Sequence, residues 1–255
     1  MPFEKIQSEK LSQAVVRQIE QLILRGILRP GERLPAEREL SERLGVSRPS
    51  LRDAVADLQA RGLLSTKAGA GIFVGDVLGS AFSDALLGLF STHEEAMFDY
   101  IAFRRDLEGL AAARAAVAAS ETDLSVISEI YAKMEAAHAK RSPEDEARLD
   151  AEFHMSIIEA SHNVVMLHMM RSMFDLLRQG VFYNRSVMFR QKSTRDALLS
   201  QHKAMLDGIL ARDPEAARKA VHAHLAFVET VLNEHLRTLK NEEIAQKRLA
   251  HEREK

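Results

Sequence analysis

Apolar residues in the first part of the chain recur at helical spacing. Between residues 11 and 24 they fall every three or four positions, which predicts an amphipathic helix that Gly26 ends. After a polar turn, Pro35 is suited to the first turn of a second, short helix that runs to Leu44. The pattern therefore predicts two helices before residue 45.

A third helix is predicted directly after the second. Gly45 tolerates the positive φ of a tight turn, Ser47 is a natural N-cap, and Pro49 fits the first turn of a helix that runs to about Arg61. Two helices joined so closely are typical of the helix-turn-helix, which places its second helix in the major groove of DNA. The apolar residues available to pack these helices together are Leu40, Leu44, Val46, Leu51, Val55 and Leu58.

Two short apolar runs follow at residues 63–66 and 71–74, and the segment 67–70 joins them. They predict a β-hairpin, which would be the wing of a winged helix. The start of the third helix carries arginines and short hydroxyls, which hydrogen-bond guanine edges and phosphate oxygens. One arginine alone is as readily part of a solvated face, whereas the assembled pattern favours DNA binding. The residues concerned are Ser47, Arg48, Ser50 and Arg52.

Beyond residue 80 the apolar spacing stays helical, with breaks at Ser142-Pro143 and Asp213-Pro214. An antiparallel all-helical bundle is the simplest architecture for this part. We therefore predict a mainly α chain, with its helical domain following the winged helix. The predicted divisions are a DNA-binding domain at 1–75, a linker at 76–80, an effector-binding and dimerisation domain at 81–240, and a charged tail at 241–255, either a fraying helix or disordered. The predicted helices of the second domain span 94–119, 122–140, 144–161, 164–190, 194–211 and 214–239.

Several histidines of the second part lie on apolar helix faces. Asp150 and His154 are spaced i, i+4, so they share one face of a helix. His202 has apolar neighbours at helical spacing, and His224 does too, whereas His222 shares a face with Glu229. A buried histidine taken alone is more often a hydrogen-bonded core residue than a ligand. Together, one carboxylate and three imidazoles could bind a divalent metal ion.

Composition and charge narrow the class of protein. The 255 residues are 46% hydrophobic and contain no cysteine, which excludes disulfides, thiolate metal sites and cysteine nucleophiles. No apolar run approaches the roughly 18 residues of a membrane span, so we expect a cytoplasmic protein without a membrane partner. Residues 1–75 contain 12 Lys and Arg against 9 Asp and Glu, and the remainder contains 23 against 28. All ten histidines follow Gly75, so the basic excess and the candidate metal ligands lie in different parts of the chain.

The N-terminal residues carry a family resemblance. The stretch LRPGERLPAERELSERLGVSRPSLRDAVADLQARGLL resembles the winged-helix domain of the GntR superfamily of bacterial transcription regulators, and the match covers almost all of residues 7–75. Ala68 stands where some relatives have a polar wing residue. The resemblance implies that Arg38, Arg48 and Arg52 contact DNA and that Ser47, Ser50 and Gly69 lie near phosphate.

The region from about 80 to 238 resembles the helical FCD effector domain of the fatty-acid-regulator branch of that superfamily. In this domain an Asp-x-x-x-His pair and two later histidines bind a metal, and many members have an arginine that reaches the carboxylate of the effector. The resemblance implies a divalent ion, zinc above all, with nickel or manganese as alternatives. An alternative for the arginine is a surface ion pair with Asp106 or Glu108. The matching residues are Asp150, His154, His202 and His224 for the metal and Arg104 for the effector.

These features predict a ligand-responsive transcription regulator rather than an enzyme. The expected protein is a homodimer that grips a short palindromic operator and senses a small 2-oxo or 2-hydroxy acid, with repression relieved by the ligand. Within the branch the sequence looks most like repressors of the pyruvate dehydrogenase complex, which implies pyruvate, and lactate and glycolate regulators are close alternatives. Two other classes stay open. They are a metal-dependent enzyme acting on small carboxylates and a constitutive architectural DNA binder.

Overall fold

The structure, a computed structural model, describes residues 10–67, 69–75, 83–178, 188–189 and 192–253. The chain divides into two compact units, Met1–Ala81 and Phe82–Lys255. The first is a small α/β unit and the second is entirely helical in its described part. The predicted mainly α fold, with a winged helix-turn-helix followed by a helical domain, is confirmed. The linker predicted at 76–80 lies outside the described residues.

The first unit contains three helices and a hairpin in the predicted order. Gly45 adopts a φ of 64° at the end of the second helix, and the Ser47 hydroxyl caps the third helix by accepting from the backbone N–H of Ser50. Ala36 keeps an extended backbone, so Pro35 precedes the second helix and does not occupy its first turn, contrary to the prediction. The elements are α1 (Leu11–Leu24), α2 (Glu37–Leu44), α3 (Arg48–Ala60), β1 (Leu64–Lys67) and β2 (Gly71–Val74).

The wing is tied to the loop before α2. Strands β1 and β2 pair antiparallel from Leu64↔Val74 to Lys67↔Gly71. An additional bridge, Arg33↔Phe73, which the sequence pattern did not predict, joins β2 to that loop. The wing and the helices share one core, so the hairpin is held in place at both strands. Its fully buried centre includes Leu51, Leu58, Ile19, Leu64 and Val74.

The second unit is a bundle of antiparallel helices. Its first helix, α4, was not predicted, because it is only nine residues long and so gives a short signal. The predicted continuation of α8 towards residue 190 falls largely outside the described residues, and α10 continues well beyond residue 239. No helix in the described part combines the length and hydrophobicity that a membrane span requires. The elements are α4 (Asp84–Thr92), α5 (Glu94–Ala118), α6 (Glu121–Lys140), α7 (Pro143–Ala160), α8 (Val164–Arg178), α9 (Lys192–Leu210) and α10 (Pro214–Arg253).

Small residues let the central helices approach closely. Helix α5 presents fully buried alanines to the core, among them Ala111, Ala112 and Ala115. At Gly208 of α9, a Cβ atom would lie 2.7 Å from the backbone nitrogen of Ala217 on α10 and 2.9 Å from its Cα. Because neither backbone atom can rotate away, Gly208 sets the separation of α9 and α10.

We predict that Gly208→Ala destabilises the helical unit by about 1 to 3 kcal/mol, because the added methyl group overpacks a backbone contact. Gly88 of α4 is the matched control, since a Cβ there meets nothing within 4 Å. Gly88→Ala should be neutral or stabilise by up to about 1 kcal/mol, because alanine is the better helix former. Urea unfolding followed by circular dichroism measures both, and equal effects would contradict the assigned helix spacing.

Candidate metal centre and DNA-binding surface

Four side chains predicted from the sequence as metal ligands converge in the second unit. Asp150 and His154 come from α7, His202 from α9 and His224 from α10. Each offers one ligand atom, and these atoms all lie within 4.8 Å of one another. All four residues are buried, with exposed fractions between 0% and 5%. The structure therefore brings together side chains that are up to 74 positions apart in the sequence.

The separations within this cluster suit a single ion. His202 Nε2 lies 3.3 Å from His154 Nε2 and 3.1 Å from Asp150 Oδ1, and His154 Nε2 lies 3.8 Å from that oxygen. Two ligand atoms that are each roughly 2.0–2.2 Å from one metal ion stand about 3 to 4 Å apart. One oxygen and three nitrogens also form a donor set that zinc, manganese or nickel accepts. The residues present therefore fit a divalent metal.

Hydrogen bonds hold two of the imidazoles in the form that ligates metals. His154 Nδ1 lies 2.6 Å from Glu108 Oε2, and His224 Nδ1 lies 3.1 Å from Gln201 Oε1. Both oxygens can accept a hydrogen bond, which favours the tautomer with its proton on Nδ1 and with the Nε2 lone pair directed into the cluster. Metal-binding histidines are typically oriented by such an acceptor on the second nitrogen.

Burial and charge fix the ionisation of these groups. Desolvation lowers the pKa of His154, although Glu108 opposes it, and desolvation together with the neighbouring imidazoles lowers the pKa of His224 well below its ordinary value. Burial by itself would raise the pKa of Glu108, but Arg104 and His154 outweigh it and bring that pKa to about 2. At neutral pH Glu108 is therefore ionised and the two imidazoles are neutral.

Arg104, the predicted effector ligand, lies beside the cluster on α5. It is 1% exposed, and its Nε donates to Glu108 Oε1 at 2.6 Å. Its guanidinium carbon also lies 4.9 Å from the ring centre of Phe174. The alternative of an ion pair with Glu108 is thus present, but it is buried in the bundle and not on a helix surface. The neighbouring Arg105 makes the more exposed pair, with Glu229 at 3.1 Å.

One small cavity joins Arg104 to the candidate ligands. Its volume is about 10 Å³, which is roughly the space that a single water molecule needs. Polar and apolar side chains both line it, so an anion in the cavity would meet a cation, the ligand cluster and apolar walls together. The lining residues are Arg104, Asp150, Met188, Phe189, Leu198, His224 and Val228.

Sequence reasoning missed two polar residues that support this site. Glu108 was considered only as a surface partner of Arg104, and Gln201 was not considered. The position of Glu108, four residues after Arg104 and next to the alanines of α5, was a signal that it faces the core. Gln201 gave no such signal, because its contact with His224 depends on how α9 packs against α10.

The residues predicted to contact DNA lie on the surface of the first unit. Arg48 is the first residue of α3 and Arg52 lies one turn later, and both are exposed. Arg52 Nε donates to Glu37 Oε2 at 2.9 Å, and exposed Arg38 lies 3.4 Å from Glu42 Oε1. Exposed pairs of this kind are weak, so they are easily exchanged for phosphate or base contacts.

The remaining predicted contacts flank these arginines. The Ser47 and Ser50 hydroxyls are 2.9 Å apart at the start of α3. Gly69 is exposed in the turn of the wing with a φ of 71°. A helix N-terminus with exposed arginines and hydroxyls provides the donors that a groove or a phosphate accepts. Their contacts with DNA stay predictions.

Each of the two units matches a known protein family. Residues 11–74 match the bacterial regulatory proteins of the gntR family, and residues 99–227 match the FCD domain. The chain belongs to the GntR family of bacterial regulators and carries an FCD domain. It is accordingly a DNA-binding transcription regulator of the GntR/FCD type.

Similar proteins are regulators with related names. This GntR/FCD regulator is 36% identical to the "Putative L-lactate dehydrogenase operon regulatory protein" of Escherichia coli K12. The alignment covers 88% of this chain and 86% of that protein. It is 32% identical to the "Glc operon transcriptional activator" of the same strain, and this alignment covers 90% of this chain and 92% of that protein. A solved GntR structure from Streptococcus agalactiae has the same fold, with a TM-score of 0.51 and 23% identity, covering 85% of this chain and 98% of that one. The narrower resemblance to pyruvate dehydrogenase repressors stays a prediction.

We predict that the metal-free GntR/FCD regulator loses stability on acidification from pH 7.5 to 5.5. The pKa values of His154 and His224 are lower in the folded chain than the ordinary 6.5, so the unfolded chain binds more protons as the pH falls through 6.5. Glu108 adds a further loss as the pH falls from 4.5 towards 2. Urea midpoints measured in EDTA at several pH values test this.

His224→Gln should flatten the profile between pH 7.5 and 5.5, because it removes one imidazole that resists protonation when folded. His251→Gln is the control, since His251 is exposed near the end of α10 and should leave the profile unchanged. A wild-type profile that is already flat would contradict the assigned burial of the cluster.

Proposed function

We propose that this GntR/FCD regulator senses a small 2-hydroxy or 2-oxo acid that binds beside a divalent metal ion in the helical unit. The observation that carries this proposal is that Arg104, Asp150 and His224 line one and the same cavity. It combines a guanidinium, which pairs with a carboxylate, with ligands that suit a metal ion. L-lactate and glycolate are the first candidates, and pyruvate is the 2-oxo alternative that the sequence favoured.

The charges of the described residues explain why the cation and the acid belong together. Two buried carboxyl groups, those of Asp150 and Glu108, lie in this region with one guanidinium, that of Arg104. An incoming anion would gain from a further positive charge there. A divalent ion held by Asp150 and the three histidines supplies the positive charge that attracts a carboxylate and its neighbouring oxygen. We propose zinc, with nickel and manganese as alternatives.

The size of the cavity implies that binding an acid moves protein atoms. Its volume of about 10 Å³ suits one water, and a three-carbon acid is several times larger. Apolar side chains that line the cavity, such as Met188 and Phe189, must therefore move when the acid enters. An acid that binds one arrangement more tightly than another shifts the population towards it, which is the requirement for an allosteric effector.

On the DNA side we propose a homodimer that reads a short palindrome. Two copies of α3 would enter successive major grooves, with Arg38, Arg48 and Arg52 contacting the duplex and the hydroxyls of Ser47 and Ser50 and the backbone of Gly69 near phosphate. Binding of the acid is expected to lower the affinity of the homodimer for this DNA. We also propose a cytoplasmic location, where such an operator lies.

The first experiment tests the metal ligands. His224→Ala should abolish zinc uptake and the thermal stabilisation by zinc, because it removes one of four donors. His222→Ala is the matched control, since His222 lies two residues away on α10, packs against Gly109 and is outside the ligand cluster. Metal content by mass spectrometry and melting temperature with and without zinc measure both. Equal zinc loss in the two variants would refute the assignment.

The second experiment tests the DNA-reading residues. Arg48→Ala should weaken binding to the preferred operator about tenfold to a hundredfold, because a bidentate arginine–guanine contact contributes roughly 1 to 3 kcal/mol. Thermal stabilisation by the acid should be unchanged. Arg43→Ala is the control, because Arg43 is an exposed arginine of α2 that pairs with Glu39 at 2.6 Å. Fluorescence anisotropy with operator and random duplexes measures the preference, and an unaffected Arg48→Ala would contradict its role.

The prediction that the protein is not an enzyme stays open to a direct assay. The rival class requires turnover of lactate, glycolate or pyruvate by the zinc-loaded protein. Operator binding that responds to one of these acids, without turnover, supports the regulator.

A further inference from the structure

We propose that Glu108 is a positioning residue that couples the acid-binding arginine to the metal ligands. This inference rests on the proposed function and adds a residue and a regulatory property to it. Glu108 lies on α5 and is 2% exposed. Its Oε1 accepts from Arg104 Nε at 2.6 Å, and its Oε2 lies 2.6 Å from His154 Nδ1. One buried carboxylate thus joins the two binding functions directly.

The two contacts compete for one negative charge. The Glu108 carboxylate lies between a guanidinium and an imidazole, and both of these partners are almost fully buried. Inside the bundle such charge-assisted hydrogen bonds are strong and polarise one another, because water does not screen them. A change in how strongly one partner interacts with the Glu108 carboxylate therefore changes the strength of the other contact.

The chemistry sets the sign of the coupling. When His154 donates its Nε2 lone pair to a cation, its Nδ1–H becomes a stronger donor and draws more of the charge of Glu108 to Oε2. The hydrogen bond from Arg104 Nε to Glu108 Oε1 then weakens. The guanidinium can therefore interact more strongly with an incoming carboxylate. Metal and acid should therefore bind with positive cooperativity, and each should raise the affinity of the other by the same factor.

Gln201 provides the matched comparison. It accepts from His224 Nδ1 as Glu108 accepts from His154 Nδ1, but it is neutral and lies on α9. Removing either acceptor should weaken zinc binding by about 10- to 100-fold. Only the removal of Glu108 should also change how much the acid improves zinc binding.

The experiment measures zinc affinity by chelator competition with and without L-lactate, glycolate or pyruvate in the full-length protein. In wild type at least one acid should tighten zinc binding, by about fivefold or more. In Gln201→Leu this ratio should persist while zinc affinity falls. In Glu108→Gln the ratio should fall towards one. A Glu108→Gln protein that keeps the wild-type ratio overturns the proposal, and circular dichroism verifies the fold of each variant.

A double-mutant cycle keeps the test decisive if Glu108→Gln folds poorly because the buried Arg104–Glu108 ion pair is broken. The double variant Arg104→Met with Glu108→Gln removes both buried charges and should fold. Arg104→Met alone should tighten zinc binding, because Glu108 then serves only His154. In the Glu108→Gln background that gain should shrink by more than about threefold. If the gain is equal in both backgrounds, Glu108 does not link the sites.

The outcomes also separate this inference from the proposed function. A wild-type protein that binds no zinc overturns both. A protein that binds zinc without response to any of the three acids overturns the proposed effector class, and the double-mutant cycle with zinc alone then decides the role of Glu108.

Discussion

The helical unit depends on how a buried group of charges is compensated. Arg104, Glu108 and Asp150 are nearly inaccessible to water, and isolated charges in such an environment are costly. Glu108 compensates part of this charge, since one of its oxygens accepts from Arg104 and the other lies 2.6 Å from His154 Nδ1. Asp150 has its imidazole contacts inside the ligand cluster. The carboxyl oxygen and the three imidazole nitrogens gathered in this cluster make it a place where a cation is favourable.

Packing of small residues makes this arrangement possible. The three helices that supply ligands must approach one another and α5 closely enough for side chains of ordinary length to meet. Gly208 allows the backbone of α10 to lie against α9, and Gly109 of α5 accommodates the ring of His222. The side chain of His222 is thereby directed at α5, outside the ligand cluster, while His224 of the same helix joins the cluster. Backbone spacing and ligand choice are thus set by the same contacts.

The sequence predicted the first unit better than the second for a physical reason. The helix-turn-helix depends on local signals, such as the positive φ of Gly45 and the cap at Ser47, and the structure has both. The ligand cluster depends on which faces of distant helices meet. Helical spacing alone marked Asp150 and His154 as neighbours, but it could not join them to His202 or His224 without the family resemblance.

The polar groups that orient the ligands were harder still to predict. Gln201 and Glu108 act through contacts between helices, so no short motif contains both partners. The extra bridge at Arg33 was missed because it is a long-range pairing, and helix α4 was missed because it is short. What the sequence could not supply was therefore the relative placement of elements, and the orientation of each ligand depends on that placement.

The position of Arg104 on α5 gives the proposed sensing a route between helices of the second unit. Helix α5 follows α4 directly. An acid that enters the small cavity must displace its walls, and Arg104, one of those walls, is fixed to α5 and through Glu108 to α7. A shift of α5 relative to α7 would therefore also move α4, which packs against α5. The contacts of Glu108 with Arg104 and His154 thus make α5 the helix on which the proposed metal and acid would both act.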